Sequence, residues 1–249
     1  MDVTLTETMI AATITVLSNG LGGLPFVFMK NFPQNIARLG WAISGGLMLS
    51  ASLFNLIIPG ITDGGIIPVA IGIAFGAGLM AYTSHWLGNH NFEVHGLSQA
   101  GSKRIILVLA TLFIHSFPEG IAIGVAYGSG EAQLGLLIAI AIAIHNIPEG
   151  LAVALPLNAE GVSGWKCVGW AIFSGVPQLI AAVPAYLAVR EFRPILPYAF
   201  GFAAGAMILL VLSEMIPESR NNDQERLSSA LAGIPGFLLM MVFQTILVV

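Results

Sequence analysis

Charge is what this sequence has least of. Only 9% of its 249 residues are Asp, Glu, Lys or Arg, against 56% that are hydrophobic, where a soluble domain has about one charged residue in four. That scarcity excludes a water-soluble globule with an ordinary surface, and a mean hydropathy of +0.88 implies a chain solvated by lipid. Basic runs are lacking too: nine Lys and Arg face thirteen Asp and Glu, for a net charge of −4, so no nucleic-acid surface is expected. Cysteine is reduced to Cys167 alone, which excludes an intrachain disulfide; it stands apart from every histidine and is read as packing. No basic n-region precedes the first apolar stretch and further such stretches follow, so a membrane helix is expected there rather than a leader.

What the sequence does have is long apolar runs. Hydrocarbon about 30 Å thick needs roughly 20 apolar residues of helix, and polar or Gly/Pro-rich breaks divide the chain into eight such segments, near 7–29, 39–60, 66–87, 104–128, 132–156, 163–189, 195–217 and 229–249. Runs of this length cross a bilayer only as helices. The expectation is an all-α, polytopic protein forming one transmembrane domain over 1–249, with a short cytoplasmic loop at 88–103. Basic residues flanking spans stay in the cytoplasm. Lys30, Arg38, Lys103, Arg104, Lys166, Arg220 and Arg226 fall in alternate loops, with Arg190 and Arg193 the exceptions. Both termini are therefore expected outside, as an even number of spans requires. Small-residue stripes such as Gly72, Gly76, Gly78 and Gly201, Ala204, Gly205 read as faces for close helix packing.

A charged group at mid-bilayer costs about 3 kcal/mol on insertion scales, so such residues line cavities, pair or bind ions. Here they are His115 and Glu119 in the fourth segment, His145 and Glu149 in the fifth, and Glu214 near the end of the seventh. They sit in two motifs of one pattern, His115-Ser-Phe-Pro-Glu119-Gly120 and His145-Asn-Ile-Pro-Glu149-Gly150. His115 follows Arg104 by 11 residues and His145 follows Glu131 by 14, which at ~1.5 Å per residue sets both roughly 17–21 Å deep. Within each motif His and Glu are at i and i+4 and share a helix face. Pro118 and Pro148 are expected to kink their helices and free the carbonyls of Ile114 and Ile144. Two imidazoles and two carboxylates meeting at one depth suit Zn²⁺, Fe²⁺, Co²⁺, Ni²⁺ or Mn²⁺ better than Ca²⁺ or Mg²⁺. A single pair of this kind is as readily a hydrogen-bonded couple or a proton relay; the doubling favours a metal.

The doubled His-x-x-Pro-Glu-Gly motif, thirty residues apart in consecutive helices, resembles the ZIP (Zrt/Irt-like) metal transporter family, nearest its bacterial branch. The resemblance implies a first metal site on His115, Glu119, His145 and Glu149, with Met48 of the second helix as a candidate neighbour. It implies a second site from the residue after each histidine and a Glu in the sixth helix. Those places read Ser116, Asn146 and, in Ser174-Gly-Val-Pro-Gln178, glutamine, so a weak second site is expected. Glu214 matches an acidic position on the family's exit path and Asn55 a polar position toward its entrance. His85, His90 and His95 fall where family members often carry a histidine-rich loop.

The resemblance implies transport of divalent transition-metal ions, Zn²⁺ foremost and Fe²⁺, Mn²⁺, Co²⁺ or Cd²⁺ as others, into the cytoplasm, with the ion as cargo and no catalytic cofactor. It also implies a homodimer in the cell inner (plasma) membrane, with metal ions and membrane lipid as partners. The alternative is an intramembrane metalloenzyme using the same His/Glu-bound ion to activate water. Against it, His-Glu-x-x-His is absent and no Ser or Cys nucleophile accompanies either histidine.

Overall fold

The structure is a computed structural model and describes residues 4–29, 32–88, 99–219 and 226–247. Among these residues every regular element is helical. Thr4 caps the first helix: its hydroxyl accepts from the Glu7 N–H while the Glu7 carboxylate accepts from the Thr4 N–H at 2.8 Å, so two N-terminal donors gain partners. This helix, α1, runs Leu5–Gly23 and continues as Pro25–Phe28. Next, α2 is built from Gln34–Ala51, a π-helical turn Ser52–Ile57 and Ile58–Gly64. Then come α3 (Ile66–Gly88), α4 (Gln99–Gly128), α5 (Ala132–Ala159) and α6 (Gly164–Glu191). Leu196–Leu210, the π-helical turn Val211–Met215 and Ile216–Glu218 make α7, and Arg226–Leu247 is α8.

Among the described residues six helices are long and apolar enough to cross a membrane, and α8 holds a shorter apolar stretch, Leu231–Phe243. The molecule is thus all-helical with the build of a polytopic membrane protein. Residues 99–103, expected in the loop, are helical, and the rest of the loop with His90 and His95 lies outside the described residues.

The helices pack as two groups. In the first, α4 lies against α6, and α1 lies against both α5 and α6; in the second, α3 lies against α7 and α2 against α8. The groups meet where α2 touches α5 and α4 touches α7. Glycine sets the closest approaches. A Cβ on Gly72 or Gly76 would overlap the backbone of Tyr198 or Phe202, and one on Gly201 or Gly205 that of Val69 or Ile73. The stripes at these four positions are therefore packing faces, as read from their spacing. Gly78 departs from that reading, since a Cβ there meets nothing within 4 Å. Its side of α3 faces outward, where Phe75, Leu79 and Tyr82 are exposed.

Both π-helical turns sit just before a proline, Pro59 or Pro217. A proline has no N–H to give and its ring crowds the carbonyl four residues back. A wider turn relieves that crowding, and such turns recur at functional sites. Asn55 is buried in the first. The backbone of Glu214 is in the second, and its side chain lies outside the described residues.

Candidate metal centre

Both motifs remain helical through Pro118 and Pro148. The i, i+4 spacing turns each His–Glu pair inward, and the glycine that closes each motif lets a third helix approach. A Cβ on Gly120 would strike the Gln178 backbone of α6, and one on Gly150 the Asn19 backbone of α1. Gly22 repays the contact, fitting against the backbone of Ile147, Gly150 and Leu151. The terminal glycine thus has a steric task of its own, which reading the motif only for its ligands leaves out.

Glu119, His145 and Glu149 converge, with one ligand atom from each lying within 4.8 Å of the others, and all three are buried. His145 Nε2 is 3.1 Å from Glu119 Oε1. Around a tetrahedral ion with bonds of about 2.1 Å, neighbouring donors stand about 3.4 Å apart. One pair is already at that spacing, and the third group needs to close by an ångström or so. His115 is also buried, one turn before Glu119 on α4, and it is not in that group of three. Met48 is fully buried on α2, in the apolar cluster that contains Ile123 of α4 and Ile142 of α5.

The residues read as a weak second site are all buried, and each makes hydrogen bonds, Asn146 and Gln178 to one another. Gln178 Nε2 donates to Glu119 Oε2 at 2.5 Å, and Gln178 Oε1 accepts from Asn146 Nδ2 at 3.2 Å. Asn146 Nδ2 also donates to the Thr15 carbonyl at 2.8 Å. Ser116 Oγ donates to the carbonyl of Ser174 at 2.9 Å. Ser44 of α2 donates to the His145 carbonyl at 3.4 Å, a polar link from the second group of helices to the motif. The part of α1 escaped the sequence reading. The signal was there in Thr15, Ser18 and Asn19, three buried polar residues within an apolar span.

Two helices, α4 and α5, thus bring two carboxylates and an imidazole together in one buried cluster, with the amides of Asn146 and Gln178 behind them, a donor set that suits a cation of borderline softness. The family model described as "ZIP Zinc transporter" matches residues 87–244. The chain belongs to the ZIP zinc transporter family. Among its ZIP relatives, zinc transporter GufA of Myxococcus xanthus is 32% identical over 247 residues, covering 94% of this chain and 96% of GufA. Zinc transporter ZIPB of Bordetella bronchiseptica is 38% identical over 227 residues, 85% of this chain and 71% of that protein. Human zinc transporter ZIP11 is 42% identical over 154 residues, 58% of this chain. The chain spans 45% of the length of human ZIP11 and 33% of that of an Arabidopsis thaliana relative, so it matches GufA nearly end to end and these eukaryotic proteins in part.

Proposed function

We propose that this ZIP-family chain carries divalent transition-metal ions, zinc foremost, through the membrane into the cytoplasm, binding the ion between α4 and α5. The observation that carries this reading is the buried convergence of Glu119, His145 and Glu149 within 4.8 Å. Mixed nitrogen and carboxylate donors suit zinc and its neighbours. His115, on the same face of α4, moves in as the fourth ligand when an ion draws the group together. Met48, buried on α2, adds a soft thioether that favours Zn²⁺ and Cd²⁺ over Mn²⁺.

The remaining assignments belong to the same proposal. The chain forms one domain of eight spans in the inner (plasma) membrane, with both termini outside and α4 and α5 kinked at their prolines, and it works as a homodimer within membrane lipid. Asn55 lines the entrance and Glu214 the exit. Ser116, Asn146 and Gln178 form at most a weak second site. Metal is cargo, and no catalytic cofactor is needed. A metalloenzyme is not favoured, since every relative named above is a transporter.

Proteoliposomes loaded with a metal-sensitive dye test the assignment when Zn²⁺ or Cd²⁺ is added outside. Wild type should give a rapid signal, and Glu119→Ala and His145→Ala should fall to the level of empty vesicles. Equal responses from all three proteins would sink the transport site.

A further inference from the structure

Gln178 lies on α6, outside both motifs, yet its Nε2 donates to Glu119 Oε2 at 2.5 Å. The direction of that contact is fixed from far away. A backbone carbonyl accepts hydrogen bonds and never donates, so the Thr15 carbonyl requires Asn146 to present its Nδ2, and it does so at 2.8 Å. The same Nδ2 supplies a second proton to Gln178 Oε1 at 3.2 Å. Gln178 must then present Nε2 on its other side, where Glu119 Oε2 receives it. Asn146 Oδ1 has no hydrogen-bond partner among the described residues. Turning the amide over to satisfy it would set two oxygens against each other at Thr15, so the orientation is held even though it leaves a buried acceptor unpaired.

We propose that Gln178 is a positioning residue for Glu119: the relay Thr15 carbonyl, Asn146, Gln178 holds an amide donor against one carboxylate oxygen, as an uncharged stand-in for a second cation. Glu119 is thereby left one oxygen, Oε1, for the transported ion, and that oxygen is the one 3.1 Å from His145 Nε2. The relay sets both the orientation of the carboxylate and the number of ions the centre accepts. Partners of this kind around a metal ligand are worth about 10- to 100-fold in affinity. This inference rests on Glu119 being a metal ligand, as proposed above.

Zn²⁺ binding to the purified full chain in detergent, measured by equilibrium dialysis for both affinity and number of ions, tests the relay. Gln178→Leu should weaken binding about tenfold. Asn146→Ala should do the same, although the relay gives Asn146 no contact with Glu119, because it frees Gln178 to turn over. The double variant should be no weaker than either single one, since both remove the same interaction. Independent, additive losses would overturn the relay, as would unchanged affinity in both single variants. Gln178→Glu is nearly isosteric and decides the matter if the other variants fail to fold. It sets a second carboxylate against Glu119, which calls for a second cation, so binding should rise from one ion to two. A variant that still takes one ion would refute the stand-in role. Wild type that binds no Zn²⁺, or binds it as well after Glu119→Ala, would instead remove the proposed function beneath it.

Discussion

In α4 the residue after the motif histidine is Ser116, whose hydroxyl is shared between the Leu112 carbonyl of its own helix at 3.1 Å and the Ser174 carbonyl of one other helix, α6, at 2.9 Å. In α5 the same place holds Asn146, whose amide reaches two other helices, at Thr15 of α1 and Gln178 of α6. The histidines differ in the same sense. His145 joins the convergent group and touches Glu119, while His115 is buried one turn outside that group. Two copies of one pattern therefore sit differently: α5 brings His145 and Glu149 into the buried group with Asn146 anchored behind them, while α4 brings in Glu119 and leaves His115 outside that group. Identical spacing specifies which face a residue takes, and the neighbours on other helices specify how firmly it is held.

The sharpest way to break this contrast is to remove each histidine in turn. His145→Ala should lower Zn²⁺ affinity by roughly 100-fold, the upper end of what the surroundings of a ligand alone contribute. His115→Ala should lower it by about tenfold, because a ligand that must move to bind contributes less net free energy. Dialysis against buffered Zn²⁺ measures both. Equal losses would show that the two copies are equivalent.

The glycines extend the contrast from ligands to packing. Gly150→Val and Gly120→Val each drive a side chain into the backbone of a neighbouring helix, and overpacking of this kind costs about 1–3 kcal/mol. Gly78→Val, on a glycine with open space around it, should be close to neutral. Thermal unfolding in detergent should order the variants in that way, with the motif variants losing folded yield. A Gly78 variant as damaged as the other two would mean that α3 has a partner on its outer face.

Protons should separate the centre from its surroundings. Binding requires a neutral histidine and ionised carboxylates, so protons compete with the ion. Zn²⁺ affinity should fall by about tenfold between about pH 7.5 and pH 6, and acid-stimulated binding would contradict the competition. The relay amides do not titrate, so the number of ions bound at saturation should stay constant across that range.

Periodicity and depth were enough to read an all-helical chain with the build of a polytopic membrane protein and to single out Glu119, His145 and Glu149, which the fold brings together, because charge inside an apolar helix is rare and the i, i+4 spacing fixes a face. Gln178 was legible as a departure from the family pattern, but not as a partner of Glu119. That contact depends on Gly120 admitting the α6 backbone, a three-dimensional fact that spacing along one helix does not carry. Thr15 was invisible for a stronger reason: its contribution is a backbone carbonyl, which every residue type offers equally. The end of the loop was misplaced because Gln99 to Lys103 are polar enough to read as loop, yet they continue the helix begun at Gln99.

The smallest effect expected lies at the seam between the two groups of helices. Ser44 Oγ on α2 stands 3.4 Å from the His145 carbonyl, near the outer limit for a hydrogen bond, and both residues are buried. A neutral hydrogen bond of ordinary length contributes about 1 kcal/mol net, and one this long contributes less. Ser44→Ala should therefore change Zn²⁺ affinity by no more than about twofold. Its consequence should fall on transport instead, because this contact ties the helices that hold the ion to those that flank them. If the two groups slide past one another during transport, loosening the tie should raise the rate of Zn²⁺ entry into dye-loaded vesicles while affinity stays within that twofold range. A variant that loses affinity strongly and gains no rate would place Ser44 among the supports of His145. The asymmetry between the motifs would then reach into the second group of helices.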